Sequence, residues 1–600
     1  MRLRPLLTLA ALAALSLAPA ANAAEVPANA TWTEATITEA DGTQLHADVL
    51  RPKGLPADAK TPVILSIGPY FNHAGQTGAL GGVEGTSYDP VGPPGPSDRF
   101  YDFLEGTKLL DRGYTFVMVD LRGFGGSTGC LDWAGPGEQA DVKAAVEWAA
   151  GQPWSTGRVG MYGKSYDGVT GLIGAVSKPK GLAAVISQEP VYDLYRYLWD
   201  DGIRFVNSLG TPALYDLIAG TPGPLAGDPS YTTGSVNDLQ RPGCPVLNYL
   251  DQQDADHGSD FWKARNLIPR AKDTDVPVLL TQGFLENNTK PDGAFEFYNG
   301  LQGPKRAWFG MWDHVRGNDR DADGRLLMGR EGWFDEAMRW YDHYVKGVPL
   351  VDAPVDRDPP VVVQTSDGTW RGEDAWPPAD ATASSSPLLA GEYADDGQNN
   401  GSLDGGTEPT GQGAWTFSPP LAHRAHLAGV PRATVASDAA PGTNLVVDLY
   451  DVAPDGKATL VSRGGQLVAG TGPQEVELYG NDWRFEPGHR VGVLVTGANA
   501  EWWLHQPTNA TVSVTGASVR LPWLRYTRAD DQPGGKAVRL EQYLEDAPFQ
   551  VDPQTIADRT QPAFALPPAL AARPASTRAA GSSPARRGGA RMQARLALRR

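Results

Sequence analysis

Apolar residues fall into two patterns along this chain. In the first part they form short unbroken blocks. "TPVILSIGPY" (61–70) and "GYTFVMVDLRGFGGS" (113–127) each read as a strand buried on both faces that runs into a turn. "GEQADVKAAVEWAAGQ" (137–152) has helical spacing, and "GRVGMYGKSYDGVTGLIGAV" (157–176) reads as strand, turn and small-residue helix. Strands interleaved with helices predict a parallel sheet in an α/β domain. Residues about 190–270 break the alternation: "VYDLYRYLWDDGIRFVNSL" and "ALYDLIAG" are helical and tyrosine-rich, as expected for a helical cap inserted over the sheet. "VPVLLTQGF" (276–284) and "RAWFGMW" (306–312) resume the strands, and the amphipathic "GWFDEAMRWYDHYVKG" (332–347) closes the domain. After "DAPVDRDPP" (352–360) the runs shorten to pieces such as "VVVQT", "NLVVDLYDV" and "RVGVLVTG", divided by Gly, Asn, Asp and Pro. That pattern predicts an all-β sandwich or jelly roll of about 200 residues.

Composition adds three limits. The chain has 600 residues, enough for roughly three or four domain-sized units, with Gly 70 and Pro 50 favouring turns and loops over long helices. Its first residues have the form of an export leader. Arg2 and Arg4 precede an apolar stretch, Leu6 to Leu17, and Ala21-Asn22-Ala23 offers a cleavage site before Ala24. The stretch is shorter than the roughly 20 residues that span a bilayer. We therefore expect secretion after loss of residues 1–23, with no membrane association afterwards. The formal charge of −18 is carried by a body more acidic still, because the leader and the Arg/Ala/Pro tail at 570–600 are basic. Such a body excludes nucleic acid as an expected partner, and the tail reads as disordered. Cys130 and Cys244 are too far apart for a metal motif and leave either one disulfide or two buried thiols.

"GKSYDG" (163–168) carries the candidate chemistry. A serine after a buried strand and before a helix has the setting of a nucleophile elbow, a tight turn that presents its hydroxyl at the sheet edge. Gly163 and Gly168 supply the small residues where backbones approach, and the Tyr166 amide at the helix start can face an oxyanion. Taken alone the motif equally fits a structural turn. Two more strand ends change that. Glu286 follows "VPVLLTQGF" and His314 follows "RAWFGMW", so Ser165, Glu286 and His314 appear in the order an α/β-hydrolase requires. His314 would take the Ser165 proton and Glu286 would orient the imidazole. Asp292 and Asp313 are rival acids, and His343 lies on the closing helix.

These residues resemble the Xaa-Pro dipeptidyl-peptidase and cocaine-esterase-like serine hydrolases, the S15 or CocE/NonD family. The resemblance rests on "DLRGFGGSTG" (120–129), "QPWSTGRVGMYGKSYDG" (152–168), "GFLENN", "GMWDH" and "WFDEAMRWYDHYVKG", with "PPVVVQTSDGTWRGEDAWPP" (359–378) similar to the opening of the family's C-terminal jelly roll. It implies an α/β-hydrolase domain over 36–350, a β domain over 359–560, and no metal or organic cofactor. It makes Ser165 the nucleophile and His314 the base, and it adds Tyr70 in "GPYFN" as the second oxyanion donor. Glu286 stands where the family usually has Asp. The expected substrate is a peptide with proline second from its amino terminus, whose ammonium would pair with Asp167, Glu189 or Asp193, although Asp167 equally fits a cap of the elbow helix and Asp193 an anchor of the cap helix. Tyr192, Tyr195, Tyr197 and Trp199 would either wall the pocket or form simple core. The alternative is a small acyl ester or amide cleaved by the same residues. A third reading is a non-catalytic carbohydrate- or surface-binding protein that uses the aromatic "EWWLH" (501–505) of the β domain. "DRDADG" (319–324) imitates a calcium loop but has Arg330 at the twelfth position. A homo-oligomer stays open.

Overall fold

The computed structural model describes residues 26–56, 58–71, 95–220, 243–396, 412–498, 502–505, 507–546 and 549–573. The expected leader and most of the basic tail lie outside them. Among the described residues no helix is long and apolar enough to cross a membrane.

The chain opens with β1 (Ala30–Thr38), β2 (Gln44–Pro52), β3 (Thr61–Gly68), β4 (Thr115–Asp120), β5 (Ser155–Lys164) and β6 (Leu182–Gln188). A two-stranded ribbon, β7 (Trp199–Asp200) and β8 (Ile203–Arg204), stands apart before β9 (Val278–Gly283), β10 (Lys305–Gly310), β11 (Val361–Gln364) and β12 (Trp370–Glu373). Apart from the ribbon these form one ten-stranded sheet in the order β1-β2-β4-β3-β5-β6-β9-β10-β11-β12. From β4 to β11 every neighbouring pair is parallel, and the sheet edges turn antiparallel.

The central strands are mostly apolar and largely buried because both their faces are covered. Val63, Leu65 and Ile67 of β3 pack with α2 (Pro136–Gly151) and α3 (Tyr166–Ser177). Ile64, between them, turns to the opposite face and packs with α1 (Tyr101–Thr107) and the helix Trp333–Tyr344. This is the two-residue alternation of a strand expressed in two separate cores.

β11 and β12 correct the expected domain boundary. "VVVQ" was expected to begin the β domain, but it adds to β10 in parallel and is buried along its whole length. A run of three valines suits a doubly covered strand as well as a sandwich strand, so periodicity could not tell them apart. The remaining chain folds as two antiparallel sheets of seven and five strands. The long strand Thr511–Trp523 organises the first and Asn444–Val452 the second. Val514, Val519 and Leu521 face a shared core with Leu445, Val447 and Leu449. Arg371 on β12 ties the two halves together through two hydrogen bonds to Asp482, at 2.8 and 2.6 Å, with both side chains fully buried. Asp482 also takes His426 at 2.7 Å. Burial raises its carboxyl, but Arg371 and His426 outweigh that and hold it far below the usual range.

"EWWLH" does not offer an aromatic surface. Trp502 and Trp503 are 6% and 1% exposed and pack on Ile203 and Phe205. The binding-protein reading loses the feature that motivated it. Asp321 folds its own loop by accepting from the Asp323 and Arg325 amides.

Candidate active site

β5 ends at Lys164, α3 begins at Tyr166, and Ser165 alone makes the turn between them. Its backbone sits at φ 62 and ψ −126, a conformation an L-residue adopts only at a cost of about 1–3 kcal/mol. The surrounding residues enforce it. A Cβ at Gly163 would lie 2.1 Å from the Asp167 carbonyl oxygen, and one at Gly168 would lie 2.9 Å from that of Gln188. Neither position accepts a larger residue without moving backbone. The Ser165 amide donates to the Gln188 carbonyl at 2.9 Å. The Tyr166 amide, in the first turn of α3, has no acceptor within its own helix.

Gln188, at the end of β6, also reaches the histidine loop: its Oε1 accepts from the Gly317 amide at 2.9 Å. The acid and histidine loops are bonded to each other. Phe284 donates to the Gly310 carbonyl at 2.7 Å and Leu285 to that of Trp312 at 3.1 Å. A Cβ at Gly283 would come within 2.0 Å of the Trp312 carbonyl oxygen, so only glycine permits that approach.

The result is a direct contact between His314 and Glu286, with Nδ1 and Oε2 2.7 Å apart. Glu286 is fully buried, and its other oxygen accepts from the Asn288 amide at 2.6 Å and the Thr289 amide at 3.2 Å. Burial pushes this carboxyl up, but the attraction and hydrogen bond of His314, the Asn288 amide and Lys164 outweigh it and hold the group below its ordinary range. A carboxylate there fixes the proton on Nδ1 and leaves Nε2 as a base. The rival acids are engaged elsewhere: Asp292 pairs with Arg196 at 3.0 Å and Asp313 with Arg539 at 3.1 Å. His343 binds the Val348 carbonyl on the closing helix.

A narrow cleft with a free volume of about 20 Å³ is lined by Ser165. Trp133, Tyr166, Val169, Leu194, Tyr197 and Tyr215 form much of its wall. Tyr70 meets that wall, its hydroxyl 2.5 Å from the Tyr215 hydroxyl. The Arg99 guanidinium lies 3.9 Å from the centre of the Tyr70 ring. Among the described lining residues the one with a charged side chain is Arg265. Its guanidinium is turned onto Asp132 and the carbonyls of Trp133 and Phe261.

The three carboxylates expected to receive a substrate ammonium are not in this wall. Asp167 turns back from α3 to pair with Arg99 at 2.5 Å, both side chains buried. Glu189 is fully buried and accepts from the Thr281 hydroxyl, the Gln282 side chain, the Gly283 amide and the Trp312 indole. Burial and the Glu286 charge push it up to about 8, against the pull of Gly283 and Trp312. Asp193 caps the helix Leu194–Leu198 and takes His257 at 2.7 Å. Each is occupied by protein donors, so proximity in sequence to Ser165 did not translate into exposure at the cleft. Of the four aromatic residues expected to wall the pocket, Tyr197 does so; the Tyr192 hydroxyl is directed at Gln282, and Tyr195 stacks between His257 and Trp199.

Several residues at the site carried no sequence signal. Glu138, in the first turn of α2, is fully buried and accepts the Tyr166 hydroxyl at 2.7 Å and the Ala134 amide at 2.8 Å. Burial, with Asp132 nearby, pushes it up to about 7. Trp133 and Ala134 both have positive φ, 50 and 57, although neither is a glycine. Cys130 is disulfide-bonded, and the chain's one other cysteine is Cys244, whose side chain lies outside the described residues.

Comparison with known families agrees with this geometry. The model of the X-Pro dipeptidyl-peptidase (S15) family matches residues 41–316. The model of the X-Pro dipeptidyl-peptidase C-terminal non-catalytic domain matches 353–537. Both matches are to the X-Pro dipeptidyl-peptidase (S15) serine hydrolases, which this chain resembles over 41–316 and 353–537. The second match begins just before β11, so the segment it covers contributes β11 and β12 to the ten-stranded sheet of this chain. A Streptomyces avermitilis protein provisionally named an Xaa-Pro dipeptidyl-peptidase is 25% identical over 457 residues, covering 69% of this chain and 62% of that protein. The cocaine esterase of a Rhodococcus species is 26% identical over 400 residues, covering 62% of this chain and 63% of the esterase. The chain thus spans under two thirds of the length of both. A solved CocE/NonD family hydrolase from Staphylococcus aureus shares the fold with a TM-score of 0.62 and 18% identity, over 82% of this chain and 93% of that one.

Proposed function

We propose that this protein hydrolyses esters or amides of small uncharged acyl groups through an acyl-enzyme on Ser165. The observation that carries the substrate class is the cleft beside Ser165, whose described wall is mostly aromatic and aliphatic, with Arg265 its one charged side chain and no carboxylate. A substrate ammonium placed there would be desolvated without a counter-charge, which is costly. An apolar acyl group would gain from the same burial.

The contact between His314 and Glu286 supports the following chemistry. Ser165 Oγ attacks the acyl carbon as His314 Nε2 takes its proton, and the oxyanion receives hydrogen bonds from the Tyr166 amide and the Tyr70 hydroxyl. The tetrahedral adduct collapses, the acyl–leaving-group bond breaks, and His314 returns the proton to the departing oxygen or nitrogen. Water then repeats the sequence on the acyl-enzyme and frees the acid and Ser165. Glu286 keeps the imidazole in the useful tautomer and stabilises its charged form. In this reading the helices between β6 and β9 act as a cap, the C-terminal sheets form a jelly roll that buttresses the acid loop, and the leader at 1–23 supports an exported enzyme.

The second reading is release of Xaa-Pro dipeptides, favoured by the descriptions of both matching family models. One panel separates the two. Steady-state hydrolysis is measured on 4-nitrophenyl esters of small acids, Ala-Pro anilide and N-acetyl-Ala-Pro anilide, with Ser165→Ala as the blank. The expected result is kcat/KM for the esters about a hundredfold above that for the free-amine peptide, with no gain from the free amine over its acetylated form. Cleavage confined to the free-amine peptide would overturn the first reading and establish the second.

A further inference from the structure

Tyr215 stands on the helix Thr211–Gly220, in the segment between β6 and β9, and its hydroxyl lies 2.5 Å from that of Tyr70. Either oxygen can be the donor in that bond. A phenol has one hydroxyl hydrogen. If Tyr70 donates to Tyr215, its hydrogen is already engaged when the oxyanion forms. If Tyr215 donates to Tyr70, this bond does not engage the Tyr70 hydrogen, and the bond that Tyr70 accepts makes it a stronger donor in turn. We propose that Tyr215 is a positioning residue of the oxyanion hole, donating to Tyr70 so that Tyr70 donates to the transition state. The inference rests on the reading of Tyr70 as an oxyanion donor and deepens it.

The surroundings fit a fixed donor. The Tyr215 ring is 8% exposed, lies edge-on to Trp133 with centroids 5.1 Å apart, and sits 5.3 Å from the Tyr166 ring. Burial above all, and then the neighbouring Tyr70, keeps its hydroxyl protonated well beyond the ordinary range of a tyrosine. On the other side, Arg99 lies over the Tyr70 ring and pairs with Asp167 of α3, so Tyr70 is held against the helix that begins at the elbow. A cation over a phenol ring also draws electron density from it, which favours hydrogen-bond donation. The oxyanion hole is then assembled from two parts of the chain. The elbow and the end of β3 provide the donors, and the inserted helices provide the residue that orients one of them.

The test is a double-mutant cycle on the full-length chain, with kcat and KM read separately on a 4-nitrophenyl ester. Tyr215→Phe keeps the ring and its packing and removes the hydroxyl. Its expected effect is a fall of about tenfold in kcat with KM within about twofold. Tyr70→Phe is expected to cost about a hundredfold in kcat. In the Tyr70→Phe background, Tyr215→Phe is expected to add nothing to the loss in kcat, because the bond through which its hydroxyl acts has been removed. A loss that multiplies independently with that of Tyr70→Phe, or one that falls on KM with kcat intact, would overturn the proposal and leave Tyr215 a cleft wall. A Tyr70→Phe enzyme with wild-type kcat would instead sink the oxyanion reading of Tyr70, so the two failures are distinguishable.

Discussion

Ser165→Ala lowers kcat for a good acyl ester by a factor on the order of 10⁶, and the protein stays folded. The size follows from chemistry: without Oγ there is no acyl-enzyme, and the loss is as large as removing the whole catalytic set. Stability is spared because Ala inherits the strained backbone of Ser165 and loses one hydroxyl. Ser165→Gly sharpens the point. Its backbone adopts φ 62, ψ −126 with less strain, so unfolding by denaturant should show it more stable than Ser165→Ala by about 1 kcal/mol, with equally little activity. A glycine variant less stable than the alanine one would mean that the elbow is not strained.

Glu286→Gln is expected to cost a factor on the order of 10⁴ in kcat with little change in fold. The charge is lost, but the larger effect comes from hydrogen-bond direction. Asn288 and Thr289 both present amide hydrogens to one Glu286 oxygen, so in the variant that atom must be the Gln carbonyl. The Gln NH2 then faces His314 Nδ1, across the present 2.7 Å contact, and turns Nδ1 into an acceptor. The imidazole proton moves to Nε2, and the base becomes a donor aimed at the serine. Glu286→Asp retains the carboxylate and the tautomer, so its loss should be far smaller. Single-turnover acylation of all three proteins with a 4-nitrophenyl ester measures this. A Gln variant within about tenfold of wild type would mean that another acid supports His314.

Ser165, Glu286 and His314 were legible as candidates because each lies at or just past the end of a largely buried strand, and such strands interleaved with helices predict a parallel sheet. Gly163 and Gly168 marked the elbow for the reason the structure gives, since backbone occupies the space a side chain would need. The extra methylene of Glu286 is consistent with a loop that folds its Asn288 and Thr289 amides back onto the carboxylate. Direction was not legible. Asp167 lies two residues from the nucleophile, yet its side chain is set by Arg99, 68 residues earlier in the chain. Glu189 was a candidate by proximity, but its place beneath the acid and histidine loops depends on donors from β9 and from Trp312. Tyr215 sits in an ordinary apolar helix, and nothing local tells that its hydroxyl meets one that is 145 positions away. "VVVQ" failed for the converse reason: its composition suits either sheet, and its place on β10 is a tertiary choice.

The central claim is that Ser165 is the nucleophile. Its most direct test is to treat the full-length protein with a fluorophosphonate and map the adduct by peptide mass. The account predicts one adduct per chain, on Ser165, formed rapidly in the wild type and slowed on the order of 10⁴-fold in Glu286→Gln. No adduct, or an adduct on another serine with Ser165 unmodified, would contradict it.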